Sequence, residues 1–341
     1  MLAPRRPMLS MLMLMLGLAC PLAQANPSDD AVYSFDDFPR EEVLDYPDWF
    51  KESFLDLRAD LAEATSGGKQ GLMVYFGQKR CPYCHQLMRV NFGNADIVEY
   101  TRRHFDLVPI DIWGTEEVTT PDGTLTTERE WSQREKTDFT PSILFYDARG
   151  EIALALRGYY PPYQFRAALE FVADGHYQRE SFRDYLARGD NRMVFDAEDL
   201  NAEPFLSPPP HDLDRRVPAQ RPLAVFFEQG DCHPCDVLHG QVLRAPAINR
   251  HFADFDSAQL DMWSDTPVIT PAGVRTSSRA WAAELGLFYA PAILFFDEGG
   301  QELLRLDSVV GFYRLRNVLN YIVSKAYLTQ DYGDWRVSRG Y

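Results

Sequence analysis

Residues 111–150 of this chain return at 261–300. Superposed at a constant shift of 150 without a gap, the two stretches share fifteen identities. They begin with Asp111/Asp261, Trp113/Trp263, Val118/Val268, Thr120/Thr270, Pro121/Pro271 and Gly123/Gly273. They continue through Thr126/Thr276, Arg129/Arg279, Trp131/Trp281 and Pro141/Pro291. They end on Ile143, Leu144, Phe145, Asp147 and Gly150 with their partners at 293, 294, 295, 297 and 300. Two Cys-x-x-Cys pairs, Cys81/Cys84 and Cys232/Cys235, match at a shift of 151, so length changes are confined to the stretch between. The chain is a duplication, and its fold is one that each copy adopts over the same succession of elements.

Each copy opens on a short apolar run, Leu72 to Phe76 or Leu223 to Phe227, of strand length and composition. The Cys pair follows within a few residues and leads into a helical stretch. A second strand is expected near Val108 to Ile112 or Gln259 to Met262, then a Pro-x-Gly turn, then a helix around Trp131 or Trp281. After Pro141 or Pro291 come two apolar runs joined by Asp147-Ala148-Arg149-Gly150 or Asp297-Glu298-Gly299-Gly300, a hairpin signal, and a closing helix. Such an order is an α/β plan in which a central mixed sheet is flanked by helices. Ahead of the first copy, Asp48 is expected to cap a helix carrying Phe50, Phe54, Leu57 and Leu61 on one face, stopped by Gly67-Gly68. Ser207-Pro208-Pro209-Pro210 and the charged stretch to Arg221 read as a stiff, exposed linker. The expected organisation is a first unit over 46–186, a linker over 187–220 and a second unit over 221–330.

Arg5 and Arg6, followed by the apolar run Met8 to Leu18, read as a signal peptide over 1–25 with Ala23-Gln24-Ala25 at its cleavage site. The run is too short to span a bilayer, so stable membrane insertion is not expected. Cys20 offers a second reading, lipoprotein anchoring, against which Gly17 stands three residues earlier where such signals usually carry Leu. An exported, periplasmic protein follows from the first reading. The net charge of −16 argues against a phosphate backbone or an anionic lipid surface as partner, and no nucleic acid is expected.

In both copies a buried strand ends, the chain turns, and a helix begins at the first cysteine. Free backbone N–H groups and the positive end of the helix favour an anion there, which makes Cys81 and Cys232 the attacking thiols. The partner three residues on lies one turn away, within reach of a disulfide, so Cys84 and Cys235 are the resolving thiols. Lys79 and Arg80 precede Cys81 and favour its thiolate. Asp231, Asp236 and Glu228 surround Cys232 and disfavour one. Cys81 is therefore expected to be the more acidic nucleophile, with His233 pulling the other way at Cys232. His239 is read as an idle surface histidine, and the repeated tryptophans as core.

A strand, Cys-x-x-Cys, a helix, and a proline some 60 residues on before a hairpin resemble the thioredoxin superfamily, and both copies are covered. Cys81-Pro82-Tyr83-Cys84 is similar to the glutaredoxin motif, whereas Cys232-His233-Pro234-Cys235 reverses the Pro-His of periplasmic oxidases. The Cys-Pro-Tyr-Cys and Asp-Ile-Trp-Gly segments, with Gly158-Tyr159-Tyr160, resemble periplasmic (SoxW-like) thioredoxins associated with sulfur oxidation. The resemblance implies cis peptides at Thr140-Pro141 and Ala290-Pro291, lying against the Cys pairs and shaping a substrate groove. It implies a thiol:disulfide oxidoreductase with no bound cofactor and no metal, thiol or disulfide proteins as substrates, and a membrane protein as candidate electron donor. Where cytosolic thioredoxin has a buried acid six residues before its first cysteine, Tyr75 and Phe226 stand here.

Three other readings compete. Cys81-x-x-Cys84-His85 also satisfies a c-type haem attachment motif, but the second copy has Asp236 in place of the histidine. A zinc site drawn from both pairs would span some 150 residues of sequence, against roughly 15–20 in zinc ribbons. A binding module of the same fold with one or both sites decayed is the alternative of a different class.

Overall fold

The computed structural model describes residues 30–189 and 200–340. The expected signal peptide, Cys20 and part of the expected linker lie outside the described residues. A short helix α1 (Asp30–Tyr33) and an extended segment lead to helix α2 (Leu57–Ser66). The first unit continues with β1 (Gly71–Gly77), α3 (Pro82–Gln86), a π-helical turn over Leu87–Asn91, α4 (Ala95–His104) and β2 (Phe105–Asp111). A small hairpin of β3 (Glu117–Thr119) and β4 (Leu125–Thr127) precedes α5 (Glu128–Arg134). The hairpin β5 (Ser142–Asp147) and β6 (Ile152–Arg157) then leads to α6 (Pro162–Ala173) and α7 (Phe182–Gly189).

The second unit repeats this plan. It comprises β7 (His211–Asp212), β8 (Leu223–Glu228), α8 (His233–Val237) with a π-helical turn over Leu238–Leu243, and α9 (Pro246–Asn249). Then come β9 (Asp256–Asp261), the hairpin β10 (Pro267–Ile269) and β11 (Arg275–Ser277), and α10 (Ser278–Glu284). It closes on β12 (Ala292–Phe296), β13 (Glu302–Leu306), α11 (Phe312–Val323) and α12 (Tyr332–Ser338). The main sheets have the orders β2-β1-β5-β6 and β9-β8-β12-β13. In each, the first pair is parallel and the other two antiparallel, which is the expected mixed sheet.

Burial on both faces of the central strands explains their unbroken apolar runs. Successive side chains of β1 point to opposite faces. Leu72, Val74 and Phe76 pack with Leu57, Val108 and Trp131, while Met73 and Tyr75 pack with Phe105, Phe145 and the Cys81–Cys84 turn. In β8, Leu223, Val225 and Phe227 face Trp281, and Ala224 and Phe226 face α11. Tyr289 and Val309 of the second unit belong to the first unit's helix-side core, so the units share buried surface.

Two expectations are corrected. Asp48 caps no helix: Asp56 caps α2 by accepting from the Ala59 N–H, with Gly67 at its end. Residues 51–54 form no helix, Lys51 N donating to the Leu107 carbonyl, and Phe50 is in the core while Phe54 is fully exposed. Nor is the expected linker over 187–220 exposed throughout: Ser207 to Pro210 are exposed, but part of its described stretch packs on the second unit. Phe205 stacks on Phe252, Ser207 bridges to Ala258, and His211 and Leu213 are buried as β7 pairs with β10.

Candidate active site: two disulfide turns and a shared groove

β1 delivers the chain to Gln78-Lys79-Arg80, and Cys81 takes the N-cap position of α3, with Pro82 first inside the helix. Proline is tolerated there because its missing N–H would have no partner in any case. Cys81 and Cys84 are joined in a disulfide with Cα atoms 5.1 Å apart, and Cys84 N–H donates to Cys81 Sγ at 2.9 Å. The second turn is built alike: Cys232 caps α8, is joined to Cys235 with Cα atoms 5.2 Å apart, and accepts from Cys235 N–H at 3.2 Å. Cys84 and Cys235 are fully buried, while Cys81 is 1% and Cys232 7% exposed. Both Thr140-Pro141 and Ala290-Pro291 are cis. Cys81 Sγ lies 3.6 Å from the Thr140 carbonyl oxygen, and Cys232 Sγ 3.8 Å from that of Ala290.

A side-chain relay surrounds Cys81. Trp113 Nε1 donates to Gln78 Oε1 at 2.7 Å, Gln78 Nε2 donates to Thr140 Oγ1 at 3.1 Å, and Thr140 Oγ1 lies 3.2 Å from Cys81 Sγ. The second unit repeats its outer half, Trp263 Nε1 donating to Gln229 Oε1 at 2.8 Å, but Ala290 has no hydroxyl to complete it. Trp113 and Trp263 thus flank the redox turns, whereas Trp131 and Trp281 are core. The identity of Gln78 and Gln229 at the cysteines' own shift of 151 was the sequence signal for this relay.

Other neighbours come from distant parts of the chain. Tyr83 Oη donates to Asp37 Oδ2 at 2.8 Å and accepts from Gly311 N–H at 2.7 Å. Asp37 also accepts from the N–H groups of Tyr313 and Arg314 at the start of α11. Arg314 Nη2 donates to the Thr140 carbonyl at 2.7 Å, its guanidinium 3.4 Å from the Tyr83 ring centre. A groove of about 370 Å³ opens beside Cys81, walled by Trp113 and Thr140 on one side and by Tyr313, Arg314 and Tyr332 of the second unit on the other. At its rim, burial and then the Asp331 charge raise the Asp138 carboxyl to about 6.

The acids near Cys232 stand differently from what the sequence implied. Glu228 is wholly buried and accepts from His239 Nε2 at 2.9 Å and from Gln259 Nε2 at 2.9 Å. His239 is no surface residue: its Nδ1 faces Glu203 Oε1 at 3.0 Å. Burial alone would lower His239, but its bonds to and attraction by Glu228 and Glu203 outweigh this and hold it above its ordinary value. The buried carboxylate that Phe226 cannot supply is thus present two residues later on β8, paired with a histidine one turn beyond Cys235. His233 stacks edge-on to Tyr33, 5.5 Å between ring centres.

The family model for the thioredoxin-like domain matches this chain twice, over residues 57–173 and 209–323. Similar solved structures include a thioredoxin-fold protein of Helicobacter pylori, 26% identical over 34% of this chain and 78% of that one, with a TM-score of 0.30. A thioredoxin of Thermus thermophilus is 25% identical over 34% of this chain and 83% of that one, with a TM-score of 0.27. A disulphide isomerase of Xylella fastidiosa Temecula1 is 17% identical over 43% of this chain and 98% of that one, with a TM-score of 0.26. Among curated proteins, none matches the chain.

Proposed function

The chain belongs to the thioredoxin-like domain family, and from that membership we propose a periplasmic exchange enzyme that passes disulfides between itself and thiol or disulfide proteins through both of its Cys pairs. Two thioredoxin-like domains, each with a Cys-x-x-Cys pair, make it a thiol:disulfide oxidoreductase. The observation that carries the fuller reading is the repeated geometry: each pair is a disulfide at a strand-to-helix turn, with the first sulfur against an X-Pro carbonyl.

In the reduced enzyme the Cys81 thiolate attacks one sulfur of a substrate disulfide. The substrate S–S bond breaks, a mixed disulfide forms on Cys81, and the other substrate sulfur leaves as a thiolate and takes up a proton. Cys84, deprotonated, attacks the Cys81 sulfur and releases the second substrate thiolate. The substrate gains two electrons and the Cys81–Cys84 pair is left oxidised. Run backwards, the same steps oxidise a dithiol. Cys232 and Cys235 have the same parts. Thr140, Pro141, Ala290 and Pro291 form the groove edge along which a substrate backbone lies beside each pair. Periplasmic placement rests on the signal-like segment over 1–25, and such a compartment sustains disulfides.

The test is insulin reduction by the full chain under dithiothreitol, comparing wild type, the Cys81→Ser/Cys84→Ser double variant and the Cys232→Ser/Cys235→Ser double variant. Each double variant should lose part of the activity, and a chain lacking all four cysteines should lose it altogether. Undiminished turnover without any of the four sulfurs would overturn the reading. Fractionation of cells expressing the full chain should recover it in the periplasm, shortened at its N-terminus.

A further inference from the structure

We infer that Arg314, supplied by the second unit, is a positioning residue for the first redox pair, holding a fixed positive charge beside Cys81 that favours its thiolate. The inference rests on the reading of Cys81 as nucleophile. Arg314 Nη2 is bonded to the Thr140 carbonyl at 2.7 Å, and that oxygen lies 3.6 Å from Cys81 Sγ. The two distances cap the separation of cation and sulfur at about 6 Å, the range in which an opposite charge favours the ionised form.

Three features keep this charge in place. The guanidinium lies over Tyr83, between the two cysteines, at 3.4 Å from the ring centre. A second nitrogen, Nη1, reaches the Val309 carbonyl at 3.5 Å. The backbone N–H of Arg314 is fixed by Asp37 at 2.9 Å, which anchors the start of α11. The bonded partners of the guanidinium are neutral carbonyls and a ring face, and the nearby Asp37 carboxylate is itself engaged by the Tyr83 hydroxyl and two backbone N–H groups. The matching residue of the first unit, at the duplication's shift of 150, is the neutral Gln164, so Cys232 receives no such cation from that position.

Other charged groups facing Cys81 are Lys79 and Arg80 on its own loop, Arg336 on α12, Asp37 on the N-terminal segment and Asp138 before the cis proline. Lys79 and Arg80 are exposed, so salt screens their effect. Asp37 is occupied by the Tyr83 hydroxyl and two backbone N–H groups. Arg336 Nη1 donates to the Asp138 carbonyl at 3.3 Å. Arg314 differs from all of these in being a half-buried cation bonded to the very carbonyl that the sulfur touches.

The experiment follows alkylation of Cys81 against pH in the full-length Cys84→Ser chain, with and without Arg314→Gln, Arg314→Met and Arg314→Lys. Cys232 and Cys235 are kept as a disulfide, and circular dichroism confirms folding. Neutral substitution should raise the Cys81 pKa by about one pH unit or more, and the rise should persist in 1 M salt, where the Debye length is about 3 Å. Lysine should restore most of the wild-type profile. A merely structural role would lower the melting temperature without moving the profile. An unmoved Cys81 profile in either folded neutral variant would falsify the inference, as would a lysine variant that behaves like the neutral ones. If wild-type protein partially reduced under limiting reductant is alkylated first at Cys84, it is instead the choice of nucleophile that fails.

Discussion

A thiol's acidity is set by charges within a few ångströms of the sulfur, and the two sites differ there. Cys81 has Lys79 and Arg80 before it and Arg314 beside it, while Cys232 follows Asp231 and precedes Asp236. Glu228, which the sequence placed among the repelling acids, is instead engaged by His239 and Gln259, so its charge counts for less at Cys232. The remaining charges still favour Cys81. In single-sulfur variants, Cys84→Ser against Cys235→Ser, Cys81 should be alkylated at a pH at least about one unit lower than Cys232. The reverse order would make the His233-Pro234 dipeptide the stronger influence. His239 carries a separate pH dependence. Its folded pKa is raised above 6.5, so its stabilisation is fully present below that pH and is lost as pH rises through the folded value. Melting temperature should therefore fall as the solution is taken upward from pH 6.5, and His239→Gln should flatten that slope while lowering stability at pH 6. Asp138 acts in the same direction for another reason. Burial raises its carboxyl to about 6, so the native state tolerates the ionised form poorly above that pH. Asp138→Asn should stabilise the protein at pH 8 by on the order of 1 kcal/mol, discounted because the side chain is only partly buried. Urea unfolding at pH 5 and 8 checks this, and equal effects at both would sink it.

Elements fixed by a local rule were legible. Gly150 and Gly123 sit at positive φ, 80° and 86°, where glycine is at ease, and the turns they end fall where the Asp-Ala-Arg-Gly and Pro-Asp-Gly signals put them. Thr127 and Glu130 form a reciprocal capping box that starts α5 just before Trp131. The misplaced helix shows where such rules fail. Phe50, Phe54, Leu57 and Leu61 have helical spacing, yet Phe50 is drawn instead into an aromatic cluster with Trp49, Tyr75 and Phe92. Tertiary packing of one ring overrode the periodicity, and the cap moved to Asp56. Accordingly, Asp56→Ala should cost about 1 kcal/mol in chemical denaturation, while Asp48→Ala should cost nothing measurable. Within the expected linker over 187–220, Phe205 and Leu213 find partners in the second unit that no local pattern reveals. At the site, the cysteines were legible from their spacing, and the cis prolines from the resemblance to the thioredoxin superfamily. Asp37 and Arg314 were not, since 46 residues part Asp37 from Tyr83 and 174 part Arg314 from Thr140.

Duplication predicts two like units but not how they meet, and their meeting is what builds the groove. Each unit lends the other an arginine. Arg183 of α7 crosses to the second unit, donating to the carbonyls of Leu287 at 2.5 Å and Met262 at 2.7 Å and lying 3.7 Å from the Trp263 ring centre. Burial pushes Arg183 down to about 10, which leaves it charged at neutral pH. Arg314 crosses the other way to Thr140 and Tyr83. Between them Tyr160 stacks on Phe288, Phe182 meets the same ring edge-on, and Val309 N–H donates to the Tyr159 carbonyl. An aromatic interface crossed by buried hydrogen bonds favours unfolding as one body over sequential loss of two domains. The wild-type chain should thus show a single urea transition, with tryptophan fluorescence and circular dichroism coincident. Arg183→Ala leaves two buried carbonyls without their donor and removes a cation from an aromatic face. It should cost about 2–4 kcal/mol and separate the transition into two. Two transitions already present in the wild type would show that the units are merely neighbours, and the groove beside Cys81 would then have to open and close with their separation.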